Sequence, residues 1–331
     1  MDPAISVISI VQHGKQRQSR IIQALERQTI KNKMELIIVG DTDESVKVDN
    51  QLLAVFHSVR KIILGPYDST AMARARGIRI AKAPVIAFTE DHCYPAPDWA
   101  GQLLRHFGDG YTGVGPSFAN ANPGNSTSWA NFLIEYGHFA VPVSGRFPGQ
   151  IPGHNSAYRR DPLVKFGDRL EDILEVEAVM QWELMRSGHR FTVSPHAVTY
   201  HLNFSRFWNS FIFRFHGGRL FAFHRAKGWP PGKRLVYFCA SPLIPWVRLI
   251  RVTRAAFRIG QKARIPKMLS IAFILLVFDG IGEMAGYIGS IGKSMAYLSD
   301  REMDRDRYLT AGDREMLKNF NVFLDELFQE P

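Results

Sequence analysis

Phe88-Thr-Glu-Asp-His-Cys-Tyr-Pro-Ala-Pro-Asp-Trp99 follows directly on Pro84-Val-Ile-Ala-Phe88, which reads as a buried strand. An apolar strand that ends in Glu90-Asp91-His92 sets two carboxylates and an imidazole at one strand tip. That is where an open α/β sheet binds its ligand. Oxygen and nitrogen donors grouped in this way suit a divalent cation, Mn²⁺ or Mg²⁺, and such a cation commonly bridges a diphosphate. The competing reading is an acidic strand-end turn with a solvated histidine. The surrounding sequence decides between them.

Upstream, Ile5-Ser-Val-Ile-Ser-Ile-Val11 reads as a buried strand, followed by the polar loop Gln12-His-Gly-Lys-Gln16 and helical periodicity from Ile21 to Thr29. Met34-Glu-Leu-Ile-Ile-Val39 is a second buried strand ending at Gly40-Asp41. A third is expected at Lys61-Ile-Ile-Leu64, and a helix at residues 70–81. Nearly all-apolar strands alternating with helices predict an α/β fold with a mostly parallel sheet covered on both faces. Residues 108–155, rich in Gly, Pro, Asn and Ser, read as an excursion at the rim of the sheet. A helix from about Leu174 to Ser187 ends at Gly188, and Val193 to Tyr200 is extended and stops at His201.

The chain of 331 residues exceeds one typical domain, and its 46% apolar content is ample for a packed core. Cys93 and Cys239 lie far apart and form no framework, and Asp2-Pro3 leads straight into a strand. Both observations fit a reducing, cytoplasmic compartment. The net charge of +10 is unevenly spread: from Leu184 to Phe278 there is no Asp or Glu. A one-signed half needs an anionic partner. Aromatic residues interleaved with it (Phe204, Phe207, Trp208, Phe211, Phe213, Phe215) recur at helical spacing. Core packing explains that spacing better than a nucleic-acid platform does.

Beyond Val236 the character changes. Residues 242–258 form a basic amphipathic helix, and Met268 to Phe278 is a run of eleven largely apolar residues. That run is too short to span a bilayer, for which about 20 residues are needed. The pair fits a segment lying in an anionic membrane interface, on the cytoplasmic face. The alternative is two helices packing on the catalytic domain or on a second subunit. The expected division is 1–225 for the catalytic domain, 226–298 for the basic amphipathic region, and 299–331 for a charged, solvated helical tail.

The order of these motifs resembles the inverting glycosyltransferases of family 2, with the GT-A fold, over about residues 4 to 225. Glu35-Leu-Ile-Ile-Val-Gly-Asp41 is similar to the family's acidic strand end, and Met72-Ala-Arg-Ala-Arg-Gly77 to its Ala-Arg-Asn-x-Gly helix. Glu90-Asp91-His92 stands in the place of the DxD metal motif, and Pro95-Ala-Pro-Asp-Trp99 matches the segment usual after that motif. The departures are His13 where Asn is common, Gly40 for the first of two acidic residues, Ala75 for the helix Asn, and His92 at the last DxD position.

The resemblance implies a nucleotide-diphosphate sugar as donor, a UDP-sugar first, and a lipid-linked or polysaccharide acceptor, with a divalent cation between donor and protein. It places Val11, His13, Asp41, Arg74 and Glu90 on the nucleotide, and Asp91 and His92 on the cation with His201 as a third ligand. Arg214 and Arg219 clamp the diphosphate, and His154 and Asn155 line the sugar pocket. For the base that deprotonates the acceptor it implies Glu177 first and Glu175 second, with the Glu171-Asp172 dipeptide as rival. Two other readings remain open. A nucleotidyltransferase would need a Gly-rich basic loop that Gln12–Arg17 poorly supplies. A non-catalytic nucleotide-sugar-binding scaffold would explain Gly40, Ala75 and His92.

Overall fold

A computed structural model of the protein describes residues 2–11, 15–67, 69–143 and 150–329. The chain divides into two compact units. The first comprises residues 1–119, 143–201 and 319–331; the second comprises 120–142 and 202–318. The units interleave along the sequence, whereas composition alone places a boundary at 225/226.

The first unit is built on a sheet of eight strands: β1 (Ile5–Val11), β2 (Met34–Gly40), β3 (Ser58–Ile63), β4 (Val85–Thr89), β5 (Cys93–Pro95), β6 (Gly113–Asn120), β7 (Ala157–Arg159) and β8 (Phe191–His201). Their order is β3-β2-β1-β4-β7-β6-β8-β5. The first four run parallel. β7 pairs antiparallel with β4 and with β6, and β5 antiparallel with β8. β1, β2 and β4 are buried along their whole length, which is why their sequences are almost continuously apolar. Ile21, Ile22 and Leu25 of the helix Lys15–Glu26, with Trp99 and Leu103 of the helix Trp99–Arg105, join these strands in the core. Glu35, a carboxylate inside β2, is satisfied by Ser6, by the Lys82 amide at 2.8 Å and by Arg60 at 3.0 Å.

The strand register brings the carboxyl ends of β1, β2 and β4 to one edge, so Val11, Asp41 and Glu90 leave the sheet on the same side. The helix Thr70–Ile80 starts at that edge, where Ser69 Oγ caps it by accepting from the Ala71 amide at 3.0 Å. Gly40 has a local reason. A Cβ there would lie 2.2 Å from Ser45 Oγ and 2.6 Å from Val46 Cγ1, so the tight 42–45 turn excludes the acidic residue of the family pattern.

Three expectations need correction. Residues 108–155 are not an irregular excursion: they contain β6 and the helix Ser126–Tyr136. The tail is not a solvated end. The helix Phe320–Gln329 buries Phe320, Phe323, Leu324 and Leu327, packing two of its rings 5.0 and 5.8 Å from Tyr94. Arg27 pairs with Asp325 across this contact. Finally, the apolar run 268–278 belongs to a helix of 24 residues, Ile265–Ile288.

In the second unit that long helix crosses the helix Phe207–Arg225. A Cβ on Gly282 would lie 2.0 Å from the Phe215 carbonyl oxygen, so the two backbones touch there. Asp279 and Glu283 are buried and both pair with Arg248 of the helix Ile244–Ile259. Two stretches, Pro231–Ile259 (29 residues) and Lys262–Ile288 (27 residues), are long and apolar enough by length and composition to cross a membrane. This removes the argument from shortness.

Candidate active site and metal centre

Four ligand atoms converge beyond the end of β4, from Glu90, His92, Cys93 and His201, all within 4.8 Å of one another. His92, Cys93 and His201 are buried and Glu90 half-buried. Local sequence supplies three of the four, because β4 turns through Glu90–His92 straight into β5. The fourth comes from far along the chain: Cys93 and His201 are directly paired residues of β5 and β8, so their side chains share one face of the ladder. The His92 and His201 rings meet edge-on at 5.1 Å. This donor set fits a divalent cation.

Asp91 is not among the converging groups. Its Oδ1 lies 2.9 Å from His92 Nδ1 and accepts that proton. The bond fixes the imidazole tautomer and leaves Nε2 as the lone-pair nitrogen, 3.8 Å from Glu90 Oε2. Asp91 is thus placed to orient the His92 ring. Asp91→Asn is expected to weaken metal binding by about 10–100-fold, with the fold intact, in a titration of metal-free protein followed by calorimetry.

A second group adjoins the first. Glu177 opens the helix Glu177–Arg186 and forms a buried ion pair with Arg74 of the helix Thr70–Ile80. His154 Nδ1 stands 3.2 Å from both Glu177 Oε1 and Glu90 Oε1, linking this pair to the candidate metal-binding group. Arg74 Nη2 also approaches Nδ1, at 2.9 Å. That nitrogen therefore stands among a guanidinium and two carboxylates, and its protonation sets which of them it bonds. Gly153 makes the approach possible, since a Cβ there would lie 3.0 Å from Glu177. Asn155 adopts a left-handed backbone, φ 61°, which Asn tolerates better than most residues. Its Oδ1 accepts from the Glu90 amide at 3.3 Å, and its Nδ2 donates to Glu90 Oε2 at 2.9 Å.

The electrostatics arise from these neighbours. Burial alone would raise the Glu90 carboxyl, but the positive charge around it, His154 first, outweighs burial and holds the group below the usual range. Glu177 has the same balance: burial opposes ionisation, and His154 and Arg74 prevail, so its pKa is lowered. Glu175 differs. Burial pushes it up, only partly offset by the Ser69 hydroxyl that donates to it at 2.6 Å.

Of the residues expected from sequence, the structure gathers Glu90, His92, His201, His154, Asn155, Arg74 and Glu177. Val11 ends β1, its carbonyl accepting from Tyr67 at 3.2 Å, and Asp41 is buried just past β2. His13 lies outside the described residues. Glu171 pairs with Arg79 at 2.8 Å on a half-exposed surface. Arg214 and Arg219 belong to the second unit and have partners there. Arg214 reaches Asn131 and Glu135, and Arg219 the Ser290 carbonyl at 2.8 Å. Sequence reasoning missed Cys93, whose Sγ lies 3.2 Å from Glu90 Oε2. Its position next to His92 was the one signal that could have found it.

Comparison with known proteins gives concordant results. Residues 6–167 match the family model "Glycosyl transferase family 2". Among solved structures, the mannosyltransferase PcManGT from Pyrobaculum calidifontis, in complex with GDP-Man and Mn²⁺, superposes with a TM-score of 0.53 at 14% identity. The match covers 92% of this chain and 88% of that one. TarS from S. aureus matches at a TM-score of 0.44 and 14% identity, over 86% of this chain and 55% of that one. No curated protein sequence matches. By its likeness to PcManGT, the sheet with its flanking helices is the GT-A fold.

Proposed function

We propose, from the match of residues 6–167 to glycosyl transferase family 2, that this chain transfers a sugar with inversion from a nucleotide-diphosphate donor to a lipid-linked or polysaccharide acceptor. The observation that carries this reading is the contiguity of the two groups: a metal-ligating cluster at the sheet's carboxyl edge, linked through His154 to a buried, ionised Glu177. A divalent cation held by Glu90, His92, Cys93 and His201 would supply Lewis-acid neutralisation of the diphosphate charge. Asn155 positions Glu90 for that duty, and Asp91 positions His92. Val11 and Asp41, at the ends of β1 and β2, lie at the edge where a parallel sheet receives a nucleotide.

Inversion needs a base on the face opposite the leaving diphosphate. Glu177 is assigned that role on geometry. Its carboxylate adjoins the metal-ligating group through His154, whereas Glu175 is held by Ser69. Arg74 and His154 keep Glu177 unprotonated, ready to take the proton of the acceptor hydroxyl.

A panel of nucleotide diphosphates and nucleotide sugars, each without added metal and with Mn²⁺, Co²⁺ or Zn²⁺, tests the donor assignment by thermal shift. A ligand that binds only the native state raises Tm by mass action. One nucleotide base is expected to give a metal-dependent rise. No shift with any nucleotide overturns the reading, and binding without turnover under any metal condition indicates a scaffold.

The membrane part of the proposal rests on the second unit. Leu243, Trp246, Val247, Ile250 and Phe257 are exposed around the helix Ile244–Ile259, beside the exposed Arg251 and Arg254. Val252, Ala255 and Ala256 form the buried side of the same helix. An outward apolar stripe interleaved with cations suits the interface of an anionic membrane at the cytoplasmic face. Flotation with anionic liposomes is expected at low salt. Arg251→Ala with Arg254→Ala should weaken partitioning by about 30-fold, at about 1 kcal/mol for each cation. Failure of the native protein to float would remove the membrane claim.

A further inference from the structure

We propose that the cation site of this chain is a thiolate–imidazole site selective for Zn²⁺ or Co²⁺, with Cys93 as a ligand, and not a carboxylate site for Mg²⁺ or Mn²⁺. This deepens the metal-assisted reading above and rests on it. The argument begins with the atoms that converge: one sulfur from Cys93, imidazole nitrogens from His92 and His201, and a single carboxylate oxygen from Glu90. Mg²⁺ and Ca²⁺ take oxygen ligands almost exclusively, whereas sulfur and imidazole together favour zinc. For any such donor set, affinity also rises from Mn²⁺ through Co²⁺ toward Cu²⁺ and Zn²⁺.

The spacing agrees with the chemistry. Zinc bonds of about 2.0–2.3 Å in a tetrahedron give ligand-to-ligand edges of roughly 3.3–3.6 Å. The sulfur-to-carboxylate edge from Cys93 Sγ to Glu90 Oε2 is 3.2 Å, and His92 Nε2 lies 3.8 Å from that oxygen. A buried cysteine is often only a small apolar residue. Cys93 instead directs its sulfur at the Glu90 carboxylate, with His201 directly across the ladder. The Asp91–His92 hydrogen bond is the carboxylate–histidine arrangement that commonly supports zinc ligands.

Three buried protein ligands plus one exchangeable corner is the pattern of a catalytic zinc site. His92, Cys93 and His201 are the buried three. Glu90, half-buried and already shared with Asn155 and His154, is the corner that a diphosphate oxygen can take. On ligation the Cys93 thiol gives its proton to solvent and binds as thiolate.

The test uses the full chain carrying Cys239→Ser, which removes the one other cysteine, exposed and remote in sequence. Metal-free protein is titrated with Co²⁺ alone and followed by absorption. The expected result is a thiolate-to-cobalt charge-transfer band with tetrahedral d–d intensity. Stoichiometric Zn²⁺ should bleach it, and a roughly hundredfold excess of Mn²⁺ or Mg²⁺ should not. The band should vanish on adding Cys93→Ser, with circular dichroism confirming the fold. Should that variant not fold, His201→Gln must move the titration midpoint to higher Co²⁺. Absence of the band in the Cys239→Ser protein overturns the assignment, as does a band that Mn²⁺ displaces as readily as Zn²⁺. Mn²⁺-dependent nucleotide binding without the band would remove zinc alone and leave the transferase reading standing. A band without nucleotide-sugar binding would do the reverse.

Discussion

Glu177→Gln is expected to lower kcat by about 10²–10⁴, the usual contribution of a positioned general base, while the donor-induced Tm shift persists. Glutamine keeps the shape and a hydrogen-bonding oxygen toward Arg74 but cannot accept the acceptor's proton. A loss confined to kcat, with the donor KM unchanged, is the signature of an interaction made only in the transition state. Glu175→Gln is the paired control. Glu175 has the higher pKa because burial raises it, so by basicity alone it is the stronger candidate. Glu177 is favoured because His154 joins it to the metal-ligating group. The pH profile separates them independently of mutagenesis. A base whose pKa is lowered keeps its activity down to below about pH 4.3, the ordinary glutamate value; one whose pKa is raised loses it above that pH. An acid limb on the high side, with Glu175→Gln the more damaging variant, would transfer the role to Glu175.

How far sequence could lead depended on whether a feature was local. β1, β2 and β4 announced themselves because strands buried on both faces leave no polar alternation. β6 did not. Its Gly113, Gly115, Pro116 and Asn120 imitate a loop, and the Asn-rich stretch after it looks solvated. Asn120 and Asn122 are in fact buried, both accepting from Ser128 and Asn203. Polarity of that kind is indistinguishable from exposure until its partners are known. The long helix was cut short for the same reason: Asp279 and Glu283 read as an end, yet they are its buried partners for Arg248.

The site divides along the same line. Glu90, Asp91 and His92 are neighbours in sequence, and their chemistry was legible there. Which of them joins the converging donors was not, because Asp91 turns toward the His92 ring. Cys93 depends on the β5–β8 register, a pairing of residues more than a hundred apart along the chain that no local pattern encodes. The base was legible only as a choice among carboxylates, and the close packing of Gly153 against Glu177 is a three-dimensional feature that no local pattern encodes.

Arg74→Met is expected to destabilise the first unit by about 3–5 kcal/mol at neutral pH, because breaking a buried ion pair leaves its partner charged and uncompensated. Arg74 and Glu177 are both almost fully buried, and His154, a third exposed, is the other group within ion-pair distance of that carboxylate among the described residues. Hydrogen exchange of the β1 and β4 amides reads the loss within this unit. The sign of the pH dependence comes from Glu177. In the native protein its pKa lies below the unfolded value, so its contribution is present above about pH 4.3 and is lost as pH falls through the folded pKa. In the variant, burial is opposed by less positive charge, the pKa moves up, and protonation relieves the strain as pH falls. The gap between the two proteins should therefore be widest near pH 7 and close toward pH 4. Arg74 also lies 5.5 Å above the Phe88 ring, which offers a charge-independent packing role. A gap that stays constant from pH 7 to pH 4 would assign the effect to that packing and remove the ion pair as the element that holds Glu177 ready.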